Sequence, residues 1–267
     1  MTIRKAYVDF SDGQIHYRHR NGEGVPWVFL HQTASSSAMY TEVMRELAPT
    51  GPLYALDTPG FGGSSRPPGK PNVAYYVDSL MQAVDALGLQ QFNLFGHHTG
   101  AAIACQLAAE YPERVLRLGM IGPVQLTDEE RAAWRDSAIK PLTIDLQATH
   151  LQQVWQRVTH LDSEPIAHPP NANLATREAI DTLIAGDRWQ EAYEAVFAQD
   201  FPALLEQVSC PLWLICGDGD VLYPYFQRAC QARPDAQFTE VKGGAYLLDQ
   251  QPRRMAELML DFFTRKA

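Results

Sequence analysis

Long apolar runs are missing from this chain. None of its 267 residues falls in an uninterrupted apolar stretch near the roughly 20 residues that a membrane-spanning helix needs. The first residues, Met1-Thr2-Ile3-Arg4-Lys5, run into charge with no apolar segment behind them, so no secretory leader is expected. Cysteine is scarce: Cys105, Cys210, Cys216 and Cys230, no two spaced as CxxC. That argues against a structural zinc site and for reduced, buried thiols in a cytoplasmic protein. Positive charge is in deficit. The 22 Lys and Arg against 31 Asp and Glu leave a net charge of −9, which argues against nucleic acid or anionic membranes as partners. Internal repeats and low-complexity tracts are absent.

What remains is an ordinary globular composition: 46% hydrophobic, 20% charged and 10% aromatic residues. The length suits one large domain, or a core with an insertion. Ala6–Phe10 and Gln14–Arg20 flank Ser11-Asp12-Gly13, a hairpin signal. Val25–His31, Pro52–Asp57, Gln91–Phe95 and Val115–Ile121 read as strands. Helices are expected over Ala38–Ala48, Val73–Leu87 and Gly100–Tyr111, with a Gly- and Pro-rich loop at Thr58–Pro71. Strand and helix alternate, which predicts a mostly parallel sheet flanked by helices.

From residue 123 to 208 the pattern turns helical. Thr127-Asp128-Glu129-Glu130 opens a helix with a capping box. Ile144–Val158, Leu174–Ala185 and Asp187–Ala198 follow, with a break at His168-Pro169-Pro170-Asn171 and no strand. The alternation then resumes with strands Leu212–Cys216 and Gln237–Val241 and helices Tyr225–Ala232 and Asp249–Phe263. The expected organisation is a core of residues 1–122 and 209–267 with a helical cap, or lid, at 123–208.

The chemistry concentrates at Gly96-His97-His98-Thr99-Gly100, between a strand and a helix. A turn this tight leaves no room for side chains at its two glycines and lifts the central residue above the sheet edge. Four other stretches sit in matching order. They are Leu30-His31-Gln32-Thr33, Asp57-Thr58-Pro59-Gly60-Phe61-Gly62-Gly63-Ser64, Cys216-Gly217-Asp218-Gly219-Asp220, and Lys242-Gly243-Gly244-Ala245-Tyr246 ahead of Asp249-Gln250-Gln251-Pro252. Together they resemble the α/β-hydrolase superfamily, in particular its capped esterases and C–C hydrolases. The resemblance implies an α/β-hydrolase fold with an eight-stranded sheet. It places the nucleophile elbow at residues 96–100, the oxyanion loop at 31–33, the acid at Asp220 and the catalytic-histidine loop at 243–246.

Three positions depart from the family pattern. His98 stands where the family has its nucleophilic serine, Ala245 where it has the catalytic histidine, and Gln32 where it has an oxyanion-loop glycine. A Ser-His-Asp triad needs a hydroxyl, a base and an acid, and two of these are gone. The substitutions at 98 and 245 are complementary. Losing an imidazole at 245 opens space that a longer side chain at 98 can enter. The expectation is a His98–Asp220 dyad acting as base or nucleophile, with the backbone N–H groups of Thr99 and Thr33 as oxyanion hole. His31, Gln32, His97, Tyr223, Ala245 and Tyr246 are expected around a substrate pocket. A metal site from His31, His97 and His98 is not expected, because neighbouring histidines point apart from a tight turn, and no cofactor is implied. Trp134, Trp155, Trp189, Tyr193 and Phe197 should pack the cap, some of them facing the cleft. The function expected is an enzyme acting on a small apolar carbonyl compound, an ester, lactone or similar. A cofactor-independent lyase or C–C cleaving enzyme, and a non-catalytic ligand-binding pseudo-hydrolase, are the alternatives. A homo-oligomer is compatible with the sequence.

Overall fold

The computed structural model describes residues 2–47, 51–161 and 164–265. A hairpin of β1 (Arg4–Phe10) and β2 (Gly13–Arg20) leads into β3 (Trp27–Leu30), α1 (Thr41–Glu46), β4 (Leu53–Leu56), α2 (Val73–Ala86), β5 (Phe92–His97), α3 (Thr99–Glu110) and β6 (Val115–Ile121). Then come α4 (Asp128–Ala138), α5 (Thr149–Thr159), a short ladder of β7 (His160–Leu161) with β8 (Glu164–Pro165), α6 (Ala172–Ala185), α7 (Glu191–Ala198) and α8 (Phe201–Gln207). The fold is completed by β9 (Leu212–Gly217), α9 (Tyr223–Ala232), β10 (Gln237–Val241), α10 (Leu247–Gln250) and α11 (Pro252–Phe263).

Eight strands form one sheet in the order β1-β2-β4-β3-β5-β6-β9-β10. β1 and β2 run antiparallel to their neighbours, and the rest are parallel. This is the expected eight-stranded, mostly parallel sheet. Its central strands are mostly apolar because both faces are covered. In β3 the two-residue period sends Val28 and Leu30 to one core, with Leu94 and Leu118. Trp27 and Phe29 go to the other, with Phe95, Trp213 and Phe263. α3 lies close on the first face, because its small residues Ala101, Ala102 and Ala104 let helix and strand approach. Register pairs Leu30 with Gly96, Gly96 with Met120 and Ile121 with Ile215. The carboxyl ends of β3, β5, β6 and β9 therefore meet at one edge, where an open α/β sheet holds its ligand.

Several local expectations are corrected. The segment expected to be helical from Ala38 begins as a 3-10 turn over Ser37–Tyr40 capped by Ser36, and α1 follows; Ala48 lies outside the described residues. The helix expected from Ile144 starts at Thr149. Ala148 is left-handed, with φ 60°, and the Asp145 carboxylate accepts the Thr149 N–H at 3.1 Å. The single helix expected over Asp249–Phe263 is two, because Pro252 has no N–H to continue α10 and Gln251, with φ −134° and ψ 50°, leaves the helical conformation. α8, capped by Asp200, and the short β7–β8 ladder were not anticipated.

Candidate active site

His98 alone reverses the chain between β5 and α3. Its backbone has φ 48° and ψ −108°, a conformation that persists only where the surroundings impose it. The surroundings here are two backbone contacts. A Cβ on Gly96 would stand 2.3 Å from the Gly100 carbonyl oxygen, and one on Gly100 would stand 2.1 Å from that of Leu30. Neither glycine can be replaced without moving the helix off the sheet.

The structure brings the two expected catalytic residues together. His98 Nε2 lies 2.8 Å from Asp220 Oδ2, and Asp220 Oδ1 accepts the Leu222 N–H at 2.8 Å. Burial alone would push the Asp220 carboxyl up. The His98 charge, its hydrogen bond and the Leu222 N–H outweigh that and hold it below the usual carboxylate range. An ionised carboxylate only accepts, so the nitrogen facing it, Nε2, carries a proton, and in the neutral form of the ring the lone pair is then on Nδ1. Nδ1 has no hydrogen-bond partner among the described residues.

Gly122, the residue after β6, makes this arrangement fit. It has φ 62°, and a Cβ on it would lie 2.3 Å from His98 Cδ2 and 2.7 Å from Nε2. The ring occupies the space that any other residue at 122 would fill.

His97 points away from the cavity. It is fully buried, and both ring nitrogens lack a hydrogen-bond partner among the described residues. Its ring meets that of His98 edge to face, with centroids 4.4 Å apart. Burial first, and the neighbouring His98 charge second, hold its pKa well below that of free imidazole, so it stays neutral. Donor atoms of His97, His98 and Asp220 lie within 4.8 Å of one another. In that trio the Nε2 of His98 is already engaged by Asp220.

A cavity of about 600 Å³ opens over His98. Gln32, Thr33, Ala245 and Tyr246 line it, as expected, along with Trp134, Trp189 and Tyr193. Trp155 is instead 42% exposed and Phe197 buried in the core. Tyr246 does not offer its hydroxyl to the cavity, because it donates to the Val158 carbonyl at 3.0 Å. Thr99 opens α3, so its N–H has no acceptor within the helix. The Thr33 carbonyl receives Tyr193 Oη at 3.2 Å.

Three residues expected at the pocket are not among its lining: His31, His97 and Tyr223. Tyr223 starts α9 and donates to Glu240 at 2.6 Å. His31 is buried, with Nδ1 2.8 Å from the Gln32 carbonyl, while Nε2 accepts the Thr58 N–H at 2.9 Å. One nitrogen is held within the loop after β3 and the other by the loop after β4, which leaves it nothing for substrate or metal.

Sequence reading missed a second His–Asp pair. His16 Nδ1 lies 2.7 Å from Asp57 Oδ2, and Asp57 also accepts the N–H of Ser37 at 2.6 Å and of Gly63 at 2.8 Å. Burial opposes its ionisation, but these bonds win and lower its pKa to about 2. The pair joins β2 to the loops framing the site. Also missed were Gly122 and the cavity residue Arg157. Gly122 carries a signal in hindsight, a glycine directly after a strand at the sheet's carboxyl edge. Arg157 carries none, since a basic residue on an amphipathic helix is commonplace.

Comparison with known proteins matches this geometry. A family model described as alpha/beta hydrolase fold matches residues 26–251. The chain is 35% identical over 116 residues to a 2-hydroxymuconate semialdehyde hydrolase of Pseudomonas putida, covering 40% of this chain and 39% of that protein. It is 32% identical over 139 residues to a haloalkane dehalogenase of Agrobacterium fabrum, covering 46% and 44%. The matched region thus spans about two fifths of the length of these relatives. Among solved structures, a hydrolase from Pseudomonas aeruginosa superposes with a TM-score of 0.82 at 18% identity, covering 98% of both chains. The sheet order, the elbow and the family match agree, and the chain belongs to the α/β-hydrolase fold family.

Proposed function

We propose that this protein is a hydrolase acting on an ester, lactone or related carbonyl bond of a small molecule, with His98 as base or nucleophile and Asp220 as its positioning acid. One observation carries the reading: the 2.8 Å His98–Asp220 contact at a strained elbow beneath a cavity of about 600 Å³. The cavity size suits a small ligand, and strain of this kind gathers at functional sites. The hydrolase names of several relatives and fold neighbours support the class.

The chemistry follows from the tautomer. With Nε2–H donated to Asp220, the reactive nitrogen is Nδ1. It can accept a proton from water as the oxygen adds to the carbonyl carbon, and return that proton to the leaving oxygen as the bond to carbon breaks. It can also add to the carbonyl itself: the N–C bond forms as the bond to the leaving oxygen breaks, the Nε2 proton passes by way of Asp220 and water to that oxygen, and the acyl-imidazole is then cleaved by water. The Thr99 and Thr33 N–H groups would stabilise the oxyanion in either route. Residues 123–208 act as the cap that closes the cavity. The same lone base also suits proton abstraction from carbon, the lyase alternative.

A panel of esters, lactones and β-dicarbonyl compounds, assayed with wild type and His98→Ala, tests the reading. Turnover by wild type that falls at least 100-fold in a folded His98→Ala protein supports it. Saturable binding without turnover in either form would reassign the protein as a ligand-binding member of the family. Mass spectrometry after rapid quench separates the two routes, since only the second leaves an acyl group on His98.

A further inference from the structure

Arg157, on α5, lines the same cavity as His98, Gln32 and Thr33. It makes no ion pair with any described acidic residue. Among the described residues its guanidinium bonds only to neutral atoms, each at 3.3 Å: the Thr182 hydroxyl, the Thr33 carbonyl and the Tyr193 hydroxyl. Its flat face lies over the Trp189 ring, 4.0 Å from the centroid. The acid that shares the cavity wall, Glu178, is already occupied. It accepts from Ser35 Oγ at 3.0 Å and from Arg177 at 2.5 Å.

A guanidinium so held is oriented without being neutralised. Stacking on an indole fixes the plane of the fork, and contacts to neutral oxygens leave its charge uncompensated at a partly desolvated site. Two further groups on the wall, Lys140 and His160, add no negative charge. The residues lining the cavity therefore carry two cations, Arg157 and Lys140, against one carboxylate, Glu178, which favours entry of an anion. The three contacts to neutral oxygens use only part of the five N–H donors of the guanidinium, which leaves an N–H for a charge-assisted bond to a carboxylate, and one cation balances one carboxylate.

We propose that Arg157 binds a carboxylate group on the substrate, so that the bond presented to His98 belongs to a small acid and not to a neutral ester. This rests on the reading of the His98 cavity as the active site. It also revises the sequence-based expectation of a simply apolar substrate.

Two measurements test it, one of them independent of turnover. The first is calorimetric binding of glutarate to wild type, His98→Ala, Arg157→Leu and Lys5→Met, a change at an exposed position of β1, with inorganic phosphate as comparator. The second is hydrolysis of 4-nitrophenyl hydrogen succinate against 4-nitrophenyl butyrate, which replaces the carboxylate by a methyl group. Glutarate should bind wild type, His98→Ala and the distant surface control Lys5→Met, and bind Arg157→Leu about 10–100-fold more weakly, the range of one charge-assisted pair. The kcat/KM ratio of acid over neutral ester should fall by a similar factor in Arg157→Leu and recover in part in Arg157→Lys. Glutarate binding that depends on Arg157, with neither ester hydrolysed, upholds this inference and defeats the hydrolase reading. Undetectable millimolar glutarate binding by wild type, binding unchanged in Arg157→Leu, or phosphate preferred over glutarate would each overturn the inference. Thermal denaturation of the Arg157 variants confirms that they fold.

Discussion

Gly122 and His98 compete for one space: a Cβ on Gly122 would lie 2.3 Å from His98 Cδ2. The glycine also has φ 62°, so replacing it strains the backbone as well. Gly122→Ala should cost about 1–2 kcal/mol of stability from the left-handed conformation. It should lower turnover far more than that, because the ring must swing off Asp220. Chemical denaturation beside steady-state kinetics checks both. A folded Gly122→Ala with wild-type turnover would show that the ring position does not matter.

Asp220→Asn keeps the shape of the acid and removes its charge. An amide can donate to Nε2 as readily as accept from it, so the tautomer that leaves Nδ1 free is no longer enforced. Turnover should fall by about 10²–10⁴-fold, as when the acid of a triad is neutralised. Kinetics together with the imidazole nitrogen shifts in NMR report the change. Unaltered His98 shifts would refute the assignment of the proton to Nε2.

Ala245 and His98 line the same cavity, so a Ser-His-Asp triad is two substitutions away. His98→Ser alone leaves a hydroxyl without a base and should be inactive. His98→Ser with Ala245→His should hydrolyse an activated ester more than tenfold faster than either single variant, since hydroxyl and base act as a unit. Additive behaviour in the double-mutant cycle would mean that residue 245 no longer reaches the elbow.

Asp181 on α6 accepts from Ser36 Oγ at 2.8 Å and is 7% exposed. Burial first, and the nearby Glu178 charge, raise its pKa to about 7 against the hydrogen bond from Ser36. A carboxyl raised on folding stabilises the protein below its unfolded pKa of 3.8 and loses that contribution as pH rises through about 7. Asp181→Asn, which still accepts from Ser36, should therefore be progressively more stable than wild type between pH 4 and 7. The gain should level off above that range at no more than about 4 kcal/mol. Denaturant titrations across that range would contradict this if the two proteins stay parallel.

Asp57 behaves in the opposite sense. Its folded pKa of about 2 lies below the usual 3.8, so its contribution is present above pH 4 and is lost as pH falls through 2. The shift corresponds to about 2 kcal/mol. Asp57→Asn should lose roughly that much stability at pH 7 and almost none relative to wild type near pH 2. A loss that stays constant across this range would mean that packing, and not charge, is what Asp57 provides.

The fold was legible in the sequence because it rests on local and periodic signals. Continuous apolar runs mark strands buried on both faces. The glycines at 96 and 100 mark a turn that excludes side chains, and Asp220 stands at a fixed place after its strand. The pairing of His98 with Asp220 could be reasoned from the loss of imidazole at 245, because two substitutions in one small volume must compensate each other. What the residues by themselves could not settle depends on distances between distant segments. His31 reads as a pocket residue in the sequence, yet backbone partners hold both its nitrogens. Tyr246 lines the cavity yet has donated its hydroxyl elsewhere. Gly122, and the unpaired charge of Arg157 over Trp189, are relations among parts of the chain that no spacing along it encodes. Sequence periodicity determined which faces are buried and where the chain turns. Only the packed structure decided which polar groups are already satisfied and which remain free to bind a ligand.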